Sequence, residues 1–151
     1  MNQDDRVVLG IGNPFLQDDR AGLAVIEALE TDPLCRLEAL HTVGFELMDK
    51  VRGCAQAIVV DACMLGGAPG EIRELRLDDI FQSHQLSGSH AITIASTLKT
   101  GYICFPDEMP ADLRIILIEV KNVKEFTTEM SPEVVAAVVA VTARIRALLA
   151  A

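Results

Sequence analysis

Two adjacent carboxylates, Asp18 and Asp19, a third at Asp61 and an imidazole at His90 stand where the chain turns from apolar to polar, the places where a core delivers chemistry to its edge. Two carboxylates and one imidazole make an oxygen, oxygen, nitrogen donor set with open positions, suited to a divalent ion such as Zn²⁺ or Ni²⁺. Each residue also has a plainer role. Asp18 and Asp19 stand where acids cap a helix and complement its dipole, Asp18 being the better placed for a cap and a conceivable general base besides. Asp61 follows Ala57-Ile58-Val59-Val60, and an acid at a buried strand end must be paired or metal-bound to offset its lost hydration. His90 could bond a backbone group near a helix start, and His41 and His84 are rival imidazoles. His84 precedes His90 by six positions, which does not place both on one helix face, so it is assigned to a loop.

The elements that must position these residues follow from the hydrophobic pattern. Val7-Val8-Leu9-Gly10-Ile11-Gly12 has the look of a strand buried on both faces. Beyond Asp18 and Asp19, Leu23, Val25, Ile26 and Leu29 repeat at helical spacing, and Gly12 is expected to permit a tight turn between the two elements. Residues 36–43 read as a second strand, 44–52 as a short helix and 57–60 as a third strand ending on Asp61. After the turn Gly66-Gly67-Ala68-Pro69-Gly70, the apolar residues Ile72, Leu75 and Leu77 predict an extended segment, antiparallel at a sheet edge. A helix is expected from Ser89 to Leu98, a last strand over 113–120, and a closing helix with Ser131 at its N-cap and Pro132 at its first position. The reading is one domain over residues 1–151: a three-layer α/β sandwich, its mostly parallel twisted sheet of about five strands covered by helices on both faces. Ligands of such sheets bind beyond the carboxyl ends of the strands, where Asp19, Asp61 and His90 are expected to surround one cation.

Several chemistries are excluded. Gly10-Ile11-Gly12 begins a dinucleotide fingerprint, but the third glycine is replaced by Phe15, and no Gly-Lys-Ser/Thr completes a phosphate loop. There is no G-x-S-x-G elbow and no H-E-x-x-H helix. Cys35, Cys54, Cys63 and Cys104 are too scattered for a C-x-x-C motif and read as buried reduced thiols. With 13 Lys+Arg against 22 Asp+Glu, the net charge of -9 argues against nucleic acid and anionic membranes as partners. The apolar run over 134–141 is far short of a membrane span, and the opening MNQDDR lacks the features of a secretory signal, so a cytoplasmic location is expected.

Taken in order, Gly10-Ile11-Gly12-Asn13-Pro14-Phe15-Leu16-Gln17-Asp18-Asp19-Arg20-Ala21-Gly22 resembles the N-terminal signature of the nickel-iron hydrogenase maturation proteases. Thr42-Val43-Gly44-Phe45-Glu46-Leu47, Ile58-Val59-Val60-Asp61-Ala62, Ser89-His90 followed by Leu98, and Met130-Ser131-Pro132-Glu133-Val134 extend the resemblance over nearly the whole chain. It implies a metal-dependent endopeptidase that removes the C-terminal extension of a hydrogenase large-subunit precursor after nickel insertion. By the same resemblance, Asp19, Asp61 and His90 are both the metal ligands and the catalytic residues. The nickel is carried by the precursor and serves for recognition, Zn or Cd being able to substitute. Most members carry Glu where this chain has Asp19, an acid and two glycines in place of Ala39-Leu40-His41, and Gln-Pro in place of Lys121-Asn122. The alternative reading is a metallochaperone-like protein that binds the large subunit without cutting it.

Overall fold

The computed structural model describes residues 5–121, 123 and 125–151. Asn122, half of the Lys121-Asn122 departure, and residues 1–4, on which the reading of a leaderless N-terminus rests, lie outside the described residues.

Five strands form one sheet in the order β2-β1-β3-β5-β4. They are β1 (Arg6–Ile11), β2 (Arg36–Leu40), β3 (Gln56–Cys63), β4 (Ile72–Leu75) and β5 (Asp112–Glu119). The first two, β3 and β5 are parallel, and β4 pairs with β5 antiparallel at the edge, as the alternation after the glycine-rich turn predicted. The helices are α1 (Ala21–Leu29), α2 (Phe45–Val51), α3 (Leu77–Gln82), α4 (His90–Cys104) and α5 (Pro132–Ala150). Sequence pattern missed α3, six residues whose start is held by Asp79 accepting the Arg76 N–H at 2.8 Å. It also stopped α4 short and ended β3 at Asp61, whereas that strand runs on to Cys63.

Strand alternation divides the interior in two. Val7, Leu9, Ile11, Val59, Ile115 and Leu117 face α2, α3 and α4, while Val8, Ile58, Val60, Ile116 and Ile118 face α1 and α5. Because both sheet faces are covered, the central strands are apolar at nearly every position; β3 is buried from end to end. On the second face, a Cβ on Gly22 would lie 2.5 Å from the Ile11 carbonyl oxygen and 2.6 Å from that of Val60. Only glycine lets α1 lie this close to β1 and β3, which fixes the height of the loop that feeds the helix.

Candidate active site

The sheet's alternation aims Asp61 at the same face as Ala57, Val59 and Cys63, toward α4. That helix starts at the carboxyl edge, with Ser89 at its N-cap and His90 as its first residue. The two side chains meet, His90 Nδ1 lying 2.8 Å from Asp61 Oδ2, while Asp61 Oδ1 accepts the Ala62 N–H at 2.9 Å. Asp61 is 2% exposed and the His90 side chain 54%, so the pair has one end in the core and the other in solvent. Burial pushes the Asp61 carboxyl up, against the lowering effect of its hydrogen bond with His90. The same bond raises the imidazole, which Asp19 assists from further off. With Nδ1–H donated to the carboxylate, Nε2 is the nitrogen left to bind a cation or accept a proton.

Asp19 comes to the same place from the β1–α1 loop. A Cβ on Gly12 would sit 2.2 Å from the Asp19 carbonyl oxygen, so glycine is needed there for close approach and not for a left-handed turn, its φ being ordinary. Asp19 Oδ2 accepts the Asn13 N–H at 2.9 Å. A cavity of about 270 Å³ then opens between Asp19, Cys63, Met64, His90 and Val120. A larger hollow of about 550 Å³ beside Gln17, Lys121 and Glu129 contains neither Asp61 nor His90 and offers no comparable pair.

Asp19, Asp61 and His90 thus gather at one edge without closing on one point. Among the described residues no three His, Cys, Asp or Glu side chains stand close enough to hold a metal ion. With Nδ1 engaged by Asp61, the donors a divalent ion entering the cavity would meet are His90 Nε2 and the Asp19 carboxylate. A carboxylate stripped of water also gains most from a cation. The residues therefore fit a divalent ion as a partial donor set, with the remaining positions supplied from outside.

Asp18 is neither a cap nor a general base. It lies in a 3-10 turn, Gln17–Arg20, ahead of α1, and neither the turn nor the helix has a side-chain cap. The carboxylate is fully buried and accepts the Ser131 N–H (2.7 Å), the Ser131 hydroxyl (2.8 Å) and the Lys121 N–H (3.0 Å). Ser131 does occupy the N-cap position of α5, but its hydroxyl serves Asp18 and not the helix. This staple ties the β1–α1 loop to the β5–α5 loop, reinforced by the Gln17 N–H donating to the Thr127 carbonyl at 2.9 Å. It holds Gln17 at φ 42°, a left-handed backbone that costs about 1–2 kcal/mol outside glycine.

His84 lies in the turn before α4 and His41 on an exposed bend, both outside the cavity. Of the thiols, Cys35, Cys54 and Cys63 are buried as expected and Cys104 is exposed, contrary to expectation. Burial and the nearby Glu119 push the Cys63 thiol up to about 12, which removes it as a nucleophile although it lines the cavity. Sequence reasoning missed Glu119. It is 2% exposed and accepts the Leu65 N–H (2.9 Å to the nearer oxygen) and the Gly67 N–H (2.9 Å), folding the β3–β4 loop against the cavity wall. The signal was present: like Asp61, it is an acid closing an apolar run.

A model of the family described as "HycI: Hydrogenase maturation protease" matches residues 39–147, a stretch that includes Asp61 and His90 but not Asp19. No curated protein matches the chain. Among solved structures, endopeptidase HycI from Escherichia coli is similar at 22% identity, with 92% of this chain and 87% of that chain covered and a TM-score of 0.75. The hydrogenase maturating endopeptidase HybD from E. coli follows at 25% identity, coverage of 95% and 91%, and a TM-score of 0.72. The NiFe hydrogenase maturation protease HybD from Thermococcus kodakarensis gives 23% identity, coverage of 95% and 98%, and a TM-score of 0.75. These structures share the five-stranded, mostly parallel α/β fold.

Proposed function

Since the chain belongs to the hydrogenase maturation protease family, we propose that it removes the C-terminal extension of a nickel-iron hydrogenase large-subunit precursor after nickel has been inserted. The observation that carries this reading is the Asp61–His90 pair, 2.8 Å apart and open to a cavity that Asp19 also lines. A complete metal centre would need no substrate to finish it. A partial one suits an ion that arrives already held by the precursor and still has positions to fill.

On this reading Asp61 orients His90 and keeps Nε2 toward the cavity, and Asp19 supplies a carboxylate from the lining of the same cavity. Together they seat the substrate's nickel and so place the adjoining peptide bond. The bound nickel supplies Lewis acidity for the carbonyl it faces. Zn or Cd would occupy the same donors when added alone.

Incubation of nickel-loaded precursor with the purified protein, followed by mass spectrometry, should show release of a C-terminal peptide. Tight binding without release would favour a metallochaperone. Asp19→Glu should retain cleavage and Asp19→Asn lose at least roughly tenfold, because a neutral amide is the weaker ligand. Full activity in Asp19→Asn would overturn the metal-contact role of that residue.

A further inference from the structure

Glu119 ends β5 beside Cys63, its register partner on β3, and so faces the α4 side of the sheet as Asp61 does. The β3–β4 loop wraps around this one residue. Its carboxylate accepts the Leu65 and Gly67 N–H groups, each at 2.9 Å, its own N–H donates to the Glu71 carbonyl at 2.8 Å, and its carbonyl accepts the Gly70 N–H at 2.7 Å. Val120, the next residue, donates its N–H to the Cys63 carbonyl at 3.0 Å.

Reversal of the chain does not require the carboxylate. Gly66 makes the turn with φ 82°, a left-handed backbone that glycine adopts freely, and the backbone bonds to Gly70 and Glu71 anchor the far half of the loop. What the buried side chain adds is the position of residues 64–67, at the expense of a carboxylate taken out of water. In that stretch Leu65 packs against the core, and Met64, 59% exposed, lines the cavity with Asp19, His90 and Val120. Met64 belongs to neither core, so its place is set by the chain on either side of it: Cys63 in the strand, and Leu65 under the Glu119 carboxylate.

Resting on the protease reading above, we infer that Glu119 is a positioning residue for cleavage: it fixes Met64 as a wall of the cavity, and that wall aligns the scissile peptide bond once the substrate's nickel is seated. His90 and Asp19 keep the seat for the ion, so the wall supplies alignment and not affinity. A misplacement of about 1 Å at a reacting bond costs on the order of 10²-fold in rate. The Glu119 carboxylate itself touches neither substrate nor metal.

The test measures cleavage of nickel-loaded precursor by Met64→Ala, Glu119→Ala, the two combined, and Glu119→Gln, at a temperature where circular dichroism shows each variant folded. NMR relaxation reads the backbone order of residues 64–67 in the free protein. Met64→Ala and Glu119→Ala should each lower kcat at least roughly tenfold with KM changed by less than about threefold, and the double variant should be no worse than Met64→Ala. Glu119→Gln should stay within about threefold of the wild type, because Oε1 alone reaches both N–H groups, at 3.1 and 2.9 Å. Residues 64–67 should be ordered in the wild type and in Glu119→Gln, and loosened in Glu119→Ala. A Glu119→Ala protein that melts lower but keeps the wild-type kcat would make the residue structural only and overturn the proposal, as would losses that add in the double variant. Should Glu119→Ala fail to fold, the exposed Met64 still decides, since an unchanged kcat in Met64→Ala overturns the wall. Absence of cleavage by the wild type itself would overturn the protease reading and the alignment role with it, whereas cleavage by a Glu119→Ala protein whose residues 64–67 stay ordered would overturn the proposal alone.

Discussion

The two ends of the central strand pair β3 and β5 treat their polar residues in opposite ways. At the start of the pair, Gln56 lies beside Asp112 in register and donates to it at 3.0 Å, and Arg76 approaches the same carboxylate at 2.7 Å from the surface. At the other end, Asp61 and Glu119 are both 2% exposed, and their partners are an imidazole and loop N–H groups. In the first arrangement Gln56 is buried but Asp112 and Arg76 both reach solvent, so the ion pair is worth little. The second withdraws carboxylates from water and gives one of them an outlet, through His90, to an open cavity. Polarity at a strand end is therefore no signal of function; burial with an unfinished set of partners is.

The comparison is broken most directly by neutralising one carboxylate at each end. Asp61→Asn should lower precursor cleavage by about 10²–10⁴-fold, by losing the group that sets the tautomer and orientation of His90. Asp112→Asn should leave cleavage unchanged. Equal losses in the two would mean that the site is a general polar end of the sheet and not a built centre.

A second contrast, in stability, follows from Asp18. Asp18→Ala leaves the N–H groups of Lys121 and Ser131 and the Ser131 hydroxyl without their acceptor. The expected loss is about 3 kcal/mol, at 1–3 kcal/mol for each buried unsatisfied group after partial relaxation. A thermal melt should fall by roughly 6–12 °C for a chain of this size. A melt that matches the wild type would show that the loops are held by other contacts.

The smallest effect belongs to the sheet's antiparallel edge, where Glu74 on β4 meets Arg114 of β5 at 2.6 Å and Arg144 of α5 at 2.9 Å. The hydrogen bond from Arg144, and that from Arg114 after it, hold the Glu74 carboxyl below its ordinary value. A lowered folded-state pKa stabilises above the unfolded value, and the contribution is lost as pH falls through the folded one. Glu74→Gln should therefore cost less than about 1 kcal/mol at pH 7, and the gap to the wild type should close below roughly pH 4. Denaturant melts of the two proteins across that range would detect it, and a gap independent of pH would rule out the ion pairs as its source.

Much of this molecule is legible in its sequence because its sheet is buried on both faces. Continuous apolar runs such as Ile58-Val59-Val60 and Ile115-Ile116-Leu117-Ile118 leave few other structures open to them. Asp61 and His90 could be singled out since each stands at an abrupt change of pattern. Their contact could not, because it depends on which face each side chain takes at a register that only the assembled sheet sets. The role of Asp18 was hidden for a stronger reason: its partners Lys121 and Ser131 lie more than a hundred positions away. Local rules read an acid before a helix as a cap, and the long-range bonds override them.

The Asp18–Ser131 staple also sets the order in which the chain becomes competent. It joins residues 113 positions apart, whereas Asp61 and His90 are separated by only 29. Loop closure over the longer span costs more entropy and is rewarded only once α5 has docked, so it belongs to the late stage of folding. Until then the Asp61–His90 pair can form, but the β1–α1 and β5–α5 loops lack the bonds that Asp18 makes between them. By this entropy argument the two loops beside the cavity are expected to settle last, when the final helix docks.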